Sequence, residues 1–109
     1  MGKNNRKRSD SMKPQTKERA ELIYSMLGQI IQKKTASENE LNRLTEICQL
    51  LKEDVEVGEK TSGVLDDLCE FGGKALELNS DKQRDEFIQQ EDRKLEEYYD
   101  HFKILLEGK

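Results

Sequence analysis

Residues 37–78, SENELNRLTEICQLLKEDVEVGEKTSGVLDDLCEFGGKALEL, decide the fold of this chain. The stretch opens with a capping box, in which the Ser37 hydroxyl accepts from the backbone of Glu40 and the Glu40 carboxylate accepts from the backbone of Ser37. Small or apolar residues then recur at steps of three and four: Leu41, Leu44, Cys48, Leu51, Val55, Gly58, Ser62, Leu65, Cys69, Gly72 and Leu76. This spacing predicts a helical seam, which needs a second surface to cover it.

The seam is either one long helix or two helices joined near residues 58–61. Gly58 is a candidate helix stop, and Thr61 or Ser62 is a candidate N-cap. An unbroken helix would be about 60 Å long and would leave most of its seam uncovered by its own chain. A break yields helices joined by short loops, as an up-down bundle requires.

We therefore predict an all-α fold, a small up-down bundle of four helices over 16–34, 38–57, 62–78 and 81–107. The alternative is three helices with one long central helix over 38–78, coiled-coil-like and oligomeric. The first helix begins near Pro14–Thr16, since Pro is tolerated in a first turn. The last helix opens with a second capping box at Ser80 and Gln83, and Glu91 interrupts its apolar seam.

Glycines inside two of these helices predict particular contacts. Gly28 marks either a close approach by another helix or a tolerated glycine, which costs about 1 kcal/mol relative to Ala. Gly72 and Gly73 leave either a flat patch for tight packing or a kink.

The composition predicts a small hydrophobic core and a highly charged surface. Hydrophobic residues make up 33% and charged residues 39% of the chain, against about 45–50% and about 25% in average globular proteins. A chain of 109 residues has room for one domain. We assign residues 1–13 to a disordered basic tail, because they hold too few apolar groups to repay ordering, and 14–109 to a single helical domain.

The charge is divided between the tail and the body. Residues 1–20 carry seven basic and two acidic side chains, a net +5, and the whole chain is −4, so residues 21–109 carry −9. Lys3, Arg6, Lys7 and Arg8 form either a localisation signal, a nucleic-acid-binding arm or a solubilising tail.

The residue types that support catalysis or metal binding are sparse. His101 is the sole histidine; with Glu97, one turn away, it is interpreted as a helix-surface pair. Cys48 and Cys69 fall in the apolar seam, where a thiol behaves as a small hydrophobe. A disulfide between them requires the second and third helices to fold back together, and the reducing compartment that we expect disfavours it. We expect no enzymatic activity, no catalytic or metal site, no cofactor and no small-molecule substrate.

The sequence predicts an intracellular protein that acts by binding other macromolecules. No run reaches the ~18–20 apolar residues that span a bilayer, and no signal peptide is expected, so we predict an intracellular protein, cytoplasmic or nuclear. We interpret it as a non-enzymatic protein–protein interaction module, an adaptor, subunit or regulator that contacts another protein or a second copy. The candidate contact residues are Tyr98, Tyr99, Phe102, Leu106, Ile23, Tyr24 and Ile30. The alternative is a nucleic-acid- or ribonucleoprotein-associated factor that docks through residues 3–19.

Overall fold

A computed structural model describes residues 13–54 and 57–107, and within these ranges all the regular structure is helical. The helices are α1 (Pro14–Lys33), α2 (Glu38–Lys52), α3 (Gly58–Leu76), α4 (Asp81–Gln90) and α5 (Asp92–Glu107). The prediction of an all-α fold is confirmed. The predicted number of helices is not, since the described part of the chain has five. The tail predicted over 1–13 lies outside the described residues, except for Lys13.

Local signals set the beginning and end of α1 and the beginning of α2. Pro14 is the first residue of α1, and Lys34 ends the helix in the left-handed conformation, φ 60°. The predicted capping box of α2 is present: Glu40 N–H donates to the Ser37 hydroxyl at 3.1 Å, and Ser37 N–H donates to the Glu40 carboxylate at 2.8 Å. The Ser37 backbone donor is the largest cause of a lowered Glu40 pKa, and Lys33 adds to it.

The predicted break between the second and third helices is confirmed, but it lies earlier in the chain. α2 ends at Lys52, and α3 begins at Gly58, whose φ of 81° favours glycine. The Thr16 hydroxyl of α1 donates to the Asp54 carboxylate, which holds the turn against α1. Gly58 is therefore a helix start rather than a stop, Thr61 lies inside α3 rather than at its N-cap, and the alternative of one helix over 38–78 is wrong.

α2 and α3 approach each other closely at Gly72 of α3. A Cβ on Gly72 would lie 2.2 Å from Thr45 Cγ2, whereas a Cβ on Gly73 would meet nothing within 4 Å. Of the two predicted roles, the flat patch is therefore the one that the structure contains. α3 runs through both glycines as one helix.

The predicted helix over 81–107 is broken at Glu91 into α4 and α5. Ser80 caps α4 by accepting from Gln83 N–H at 3.2 Å, but the Gln83 side chain accepts from Asn79 rather than from Ser80. Glu91 falls at a core position of the apolar repeat. The turn there, φ −93° and ψ 11°, leaves its side chain half-buried, 3.7 Å from Lys94 Nζ.

Neighbouring helices enclose one core. α2 packs on α1 and α3, α5 packs on α1, and α3 also contacts α4 and α5. The molecule measures 57 × 22 × 20 Å. The fully buried large side chains of this core include Ile23, Leu27, Ile30, Leu41, Leu44, Leu51, Leu65, Leu68, Ile88, Leu95 and Phe102.

Polar contacts connect the helices near both ends of the core. Arg84 of α4 is 4% exposed; its Nη1 donates to Asp81 at 2.6 Å and its Nη2 to Glu38 of α2 at 3.3 Å. Near it, the Thr35 hydroxyl donates to Asp85. At the opposite end, Thr16 bonds Asp54 as described above. These contacts orient the helix ends, which apolar packing alone does not do.

Candidate functional site

An acidic groove lies between α3 and the α4–α5 segment. Its volume is about 230 Å³, and its lining consists of three aromatic, four acidic and two basic side chains. These are Phe71, Phe87, Tyr98, Asp67, Glu70, Glu91, Glu97, Lys74 and Lys94. Phe71 and Phe87 stack with ring centroids 5.4 Å apart and planes 17° apart, and Phe71 is 5% exposed. The groove therefore has an aromatic floor and a charged rim.

The rim carries a net charge of −2 when all its groups are ionised. The pKa of Tyr98 is raised. Burial is the largest cause, and the negative charges of Asp67, Glu91, Glu97 and Glu70 raise it further. Lys94 already neighbours Glu91 at 3.7 Å. Since opposite charges attract, the groove favours a cationic group over an anionic one.

Tyr24 and Tyr99, both predicted contact residues, are brought together across the α1–α5 seam. Their rings stack with centroids 4.5 Å apart and planes 16° apart. A hydrogen bond with Tyr99 is the largest cause of the raised pKa of Tyr24. A Cβ on Gly28 would lie 3.1 Å from Tyr99 Cε1. The close approach at Gly28 is therefore made by a side chain, rather than by the backbone of another helix.

The remaining predicted contact residues are divided between the core and the surface. Ile23, Ile30 and Phe102 are 0%, 1% and 0% exposed. Their assignment as contact residues is corrected here, because the chain's own helices cover them. Leu106 is half-buried, and Ile104, which the prediction left out, is 53% exposed. The predicted arm residues Lys3, Arg6, Lys7 and Arg8 lie outside the described ranges.

His101 lies against α3 and does not form a surface pair with Glu97. Its Nε2 is 2.8 Å from the hydroxyl of Thr61, a residue that is 3% exposed. Burial is the main cause that lowers the pKa of His101 below its ordinary 6.5, and the Lys60 ammonium lowers it further. The environment therefore favours the neutral imidazole.

Acid is expected to destabilise the fold through His101. As the pH falls below about 6.5, the unfolded chain binds a proton that the folded state resists, so the free energy of unfolding decreases until the lower folded-state pKa is passed. Urea unfolding at steps between pH 7.5 and pH 5 measures this decrease. His101→Gln keeps an amide that can bond Thr61 but does not titrate, so its stability should vary less over the same range. Parallel curves for the two proteins would rule out His101 as the cause.

Sequence reasoning missed the aromatic floor of the groove. Phe71 and Phe87 belong to the apolar repeats of their helices, and nothing in those repeats distinguishes a core position from the floor of a groove. Glu91 was the available signal, since a carboxylate within an apolar seam indicates a place where the seam opens to water.

The described helices hold neither a metal-ion cluster nor a membrane-spanning segment. No group of three or more His, Cys, Asp or Glu side chains within 13–54 and 57–107 is arranged to hold a metal ion. In the same part of the chain, every helix is too short or too polar to cross a bilayer.

Comparison with known proteins supplies no relative. A scan of protein-family models, a search of curated proteins and a search of solved structures each found no match. The acidic groove and the helices that form it are therefore interpreted from their own chemistry.

Proposed function

We propose that this protein is a non-enzymatic interaction module that binds a basic segment of a partner protein in the acidic groove. The observation that carries this proposal is the placement of four carboxylates and two ammonium groups around Phe71, Phe87 and Tyr98. Aromatic faces accept the stems of Lys and Arg and attract their charges. The carboxylates of the rim complement those charges.

The size of the groove favours a protein partner over a small molecule. Its volume of about 230 Å³ is below the ~300–1,000 Å³ that is usual for small-molecule sites. One or two side chains of a bound segment fill such a space. Within this proposal, α4 and α5 together take the place of the fourth helix of an up-down bundle, and the protein works inside the cell as an adaptor, subunit or regulator.

A second contact is available on the α1 side of α5. Tyr24 and Tyr99 are half-buried there, and paired aromatic side chains are common in interfaces. This surface suits a second contact with the partner or a contact with a second copy of the chain.

Charge reversal in the groove is expected to weaken binding of basic peptides at least about tenfold, or ~1.4 kcal/mol. The change is Asp67→Lys with Glu97→Lys, both on the exposed rim. The matched control is Glu21→Lys with Glu46→Lys, which makes the same change in net charge at exposed positions on α1 and α2. Binding is measured by fluorescence anisotropy, with synthetic peptides in which paired Arg or Lys residues flank one large apolar residue.

The control variant should bind as the unmodified protein does, to within about twofold. Equal losses in both variants would show that net charge, and not the groove, attracts the peptides. No binding by the unmodified protein to any basic peptide of the set would contradict the proposal.

The alternative function, docking on nucleic acid through residues 3–19, rests on the +5 charge of residues 1–20. The same proteins distinguish it. A labelled RNA or DNA would bind with an affinity that falls steeply with salt. Its binding would survive the groove variant and disappear on deletion of residues 1–13.

A further inference from the structure

Two cysteines lie beside the close contact between α2 and α3 at Gly72. The helices run antiparallel, with Thr45 of α2 against Gly72 of α3. Cys48 lies three residues after Thr45, and Cys69 lies three residues before Gly72. Because the two helices run in opposite directions, three residues forward on α2 and three residues back on α3 lead the same way along the interface. Cys48 and Cys69 therefore lie opposite each other.

Contacts around the thiols agree with this register. Cys69 Sγ is 3.9 Å from the carbonyl oxygen of Thr45, and each thiol is the largest cause of the other's pKa shift. A glycine at a helix contact lets the axes approach toward the short end of their usual range, about 8 Å. A disulfide requires a Cα separation of ~4.4–6.8 Å, which is typical of facing positions on closely packed helices. Both cysteines are free thiols in the structure.

The two thiols differ in exposure and acidity. Cys48 is 0% exposed, whereas Cys69 is half-buried and reachable from solvent. The Cys48 thiol is the main cause that lowers the pKa of Cys69 to about 7; Lys52 lowers it further, while burial and Asp66 oppose the change. The Cys48 thiol has a raised pKa, owing first to its hydrogen bond with Cys69 and then to burial. An accessible acidic thiol beside a buried partner is the arrangement found in reversible redox sites.

We propose that Cys48 and Cys69 form a redox modification site, which closes to an intramolecular disulfide between α2 and α3 by exchange with a low-molecular-weight disulfide. The Cys69 thiolate attacks one sulfur of the disulfide, forms a mixed disulfide and releases one small thiolate. Cys48 then loses its proton, attacks the Cys69 sulfur and releases the second small thiolate. Two protein thiols are oxidised, one small disulfide is reduced, and the two protons end on the two small thiols.

The site differs from the acidic groove and does not depend on the proposed function. Cys69 lies on α3 between Asp67 and Phe71, which line the groove, but its sulfur faces Thr45 and Cys48 of α2. A disulfide here joins helices that already pack together, so it needs no change of fold.

The test uses the reduced, full-length protein and oxidised glutathione under native conditions. The expected product has lost two hydrogens in its intact mass, contains a peptide cross-linked between Cys48 and Cys69, and melts at least about 5 °C higher than the reduced protein. Dithiothreitol should reverse the change. A product that keeps glutathione on one cysteine, a covalent dimer, or two thiols that stay free would overturn the proposal.

Single variants test the order of the two steps. Cys48→Ala leaves Cys69 without a partner and is expected to stop at the mixed disulfide, with one glutathione per chain. Cys69→Ala leaves only the buried thiol and is expected to react with oxidised glutathione at least about tenfold more slowly than the unmodified protein. Circular dichroism confirms that each variant is folded, and the cross-linked peptide of the unmodified protein decides the result if either variant is not. Equal reaction rates for Cys69→Ala and the unmodified protein would contradict the assignment of Cys69 as the attacking thiol.

Discussion

Replacing Phe102 by Ala is expected to lower the free energy of unfolding by ~3–5 kcal/mol. Phe102 is 0% exposed and belongs to the hydrophobic core, and its ring and that of His101 are nearly perpendicular, with centroids 5.6 Å apart. Its removal leaves a cavity that the surrounding helices fill only in part. Domains of this size have a total stability of about 5–15 kcal/mol, so the loss is a large share of it. Urea unfolding followed by circular dichroism measures it.

Ile104→Ala is the matched control on the same helix. Ile104 is 53% exposed, and its truncation is expected to change the free energy of unfolding by no more than about 0.5 kcal/mol. Similar losses for the two variants would mean that the end of α5 does not pack as described. The pair of variants separates the side chains of α5 that hold the fold from those that are free to meet a partner.

Gly72→Ala is expected to destabilise the protein by ~1–3 kcal/mol, although alanine is the better helix former by about 1 kcal/mol. The new methyl group would lie 2.2 Å from Thr45 Cγ2. Thr45 cannot turn away without cost, because its hydroxyl donates to the carbonyl oxygens of Leu41 and Asn42 at 3.1 and 2.9 Å. The helices must therefore separate or Thr45 must lose these bonds. Thermal and urea unfolding both report the change.

The neighbouring Gly73→Ala should have the opposite sign. A Cβ there meets nothing within 4 Å, so only the helix propensity acts, and the protein is expected to gain ~0.5–1 kcal/mol. Thr45→Ser removes the methyl group that obstructs Gly72→Ala and keeps the hydroxyl, so the double variant should recover most of the loss. The Gly72–Thr45 contact would not be the cause of the Gly72→Ala loss if Gly73→Ala also destabilised the protein. The same conclusion would follow if the losses of Gly72→Ala and Thr45→Ser simply added in the double variant.

Tyr98 and Tyr99 show why a helix face cannot be assigned from the sequence alone. Both were predicted to contact a partner, and they are adjacent in the chain. Tyr98 turns toward α3 and lines the acidic groove, whereas Tyr99 turns toward α1 and stacks on Tyr24. The 100° between successive helical residues sends them into different seams. Only the positions of α1 and α3 decide what each tyrosine meets.

Phe102, Ile23 and Ile30 illustrate the same limit for burial. A wide apolar stripe on α1 or α5 contains more large side chains than one neighbouring helix covers. Which of them lie inside depends on how the helices rotate against each other. The side chains of these three residues point into the core, whereas that of Ile104 points outward.

By itself, the sequence determined the helical class, the starts of α1, α2 and α4, and the presence of a break between α2 and α3. These follow from signals that act within one or two turns, such as Pro14, the Ser37 capping box and the Ser80 cap. Only the tertiary structure decided that the break precedes Gly58, that Glu91 divides the last helix, and that Cys48 meets Cys69. The Thr16–Asp54 bond, the groove at Glu91 and the Thr45–Gly72 contact join residues far apart in the chain. Their energies depend on how whole helices pack, and no local pattern encodes that.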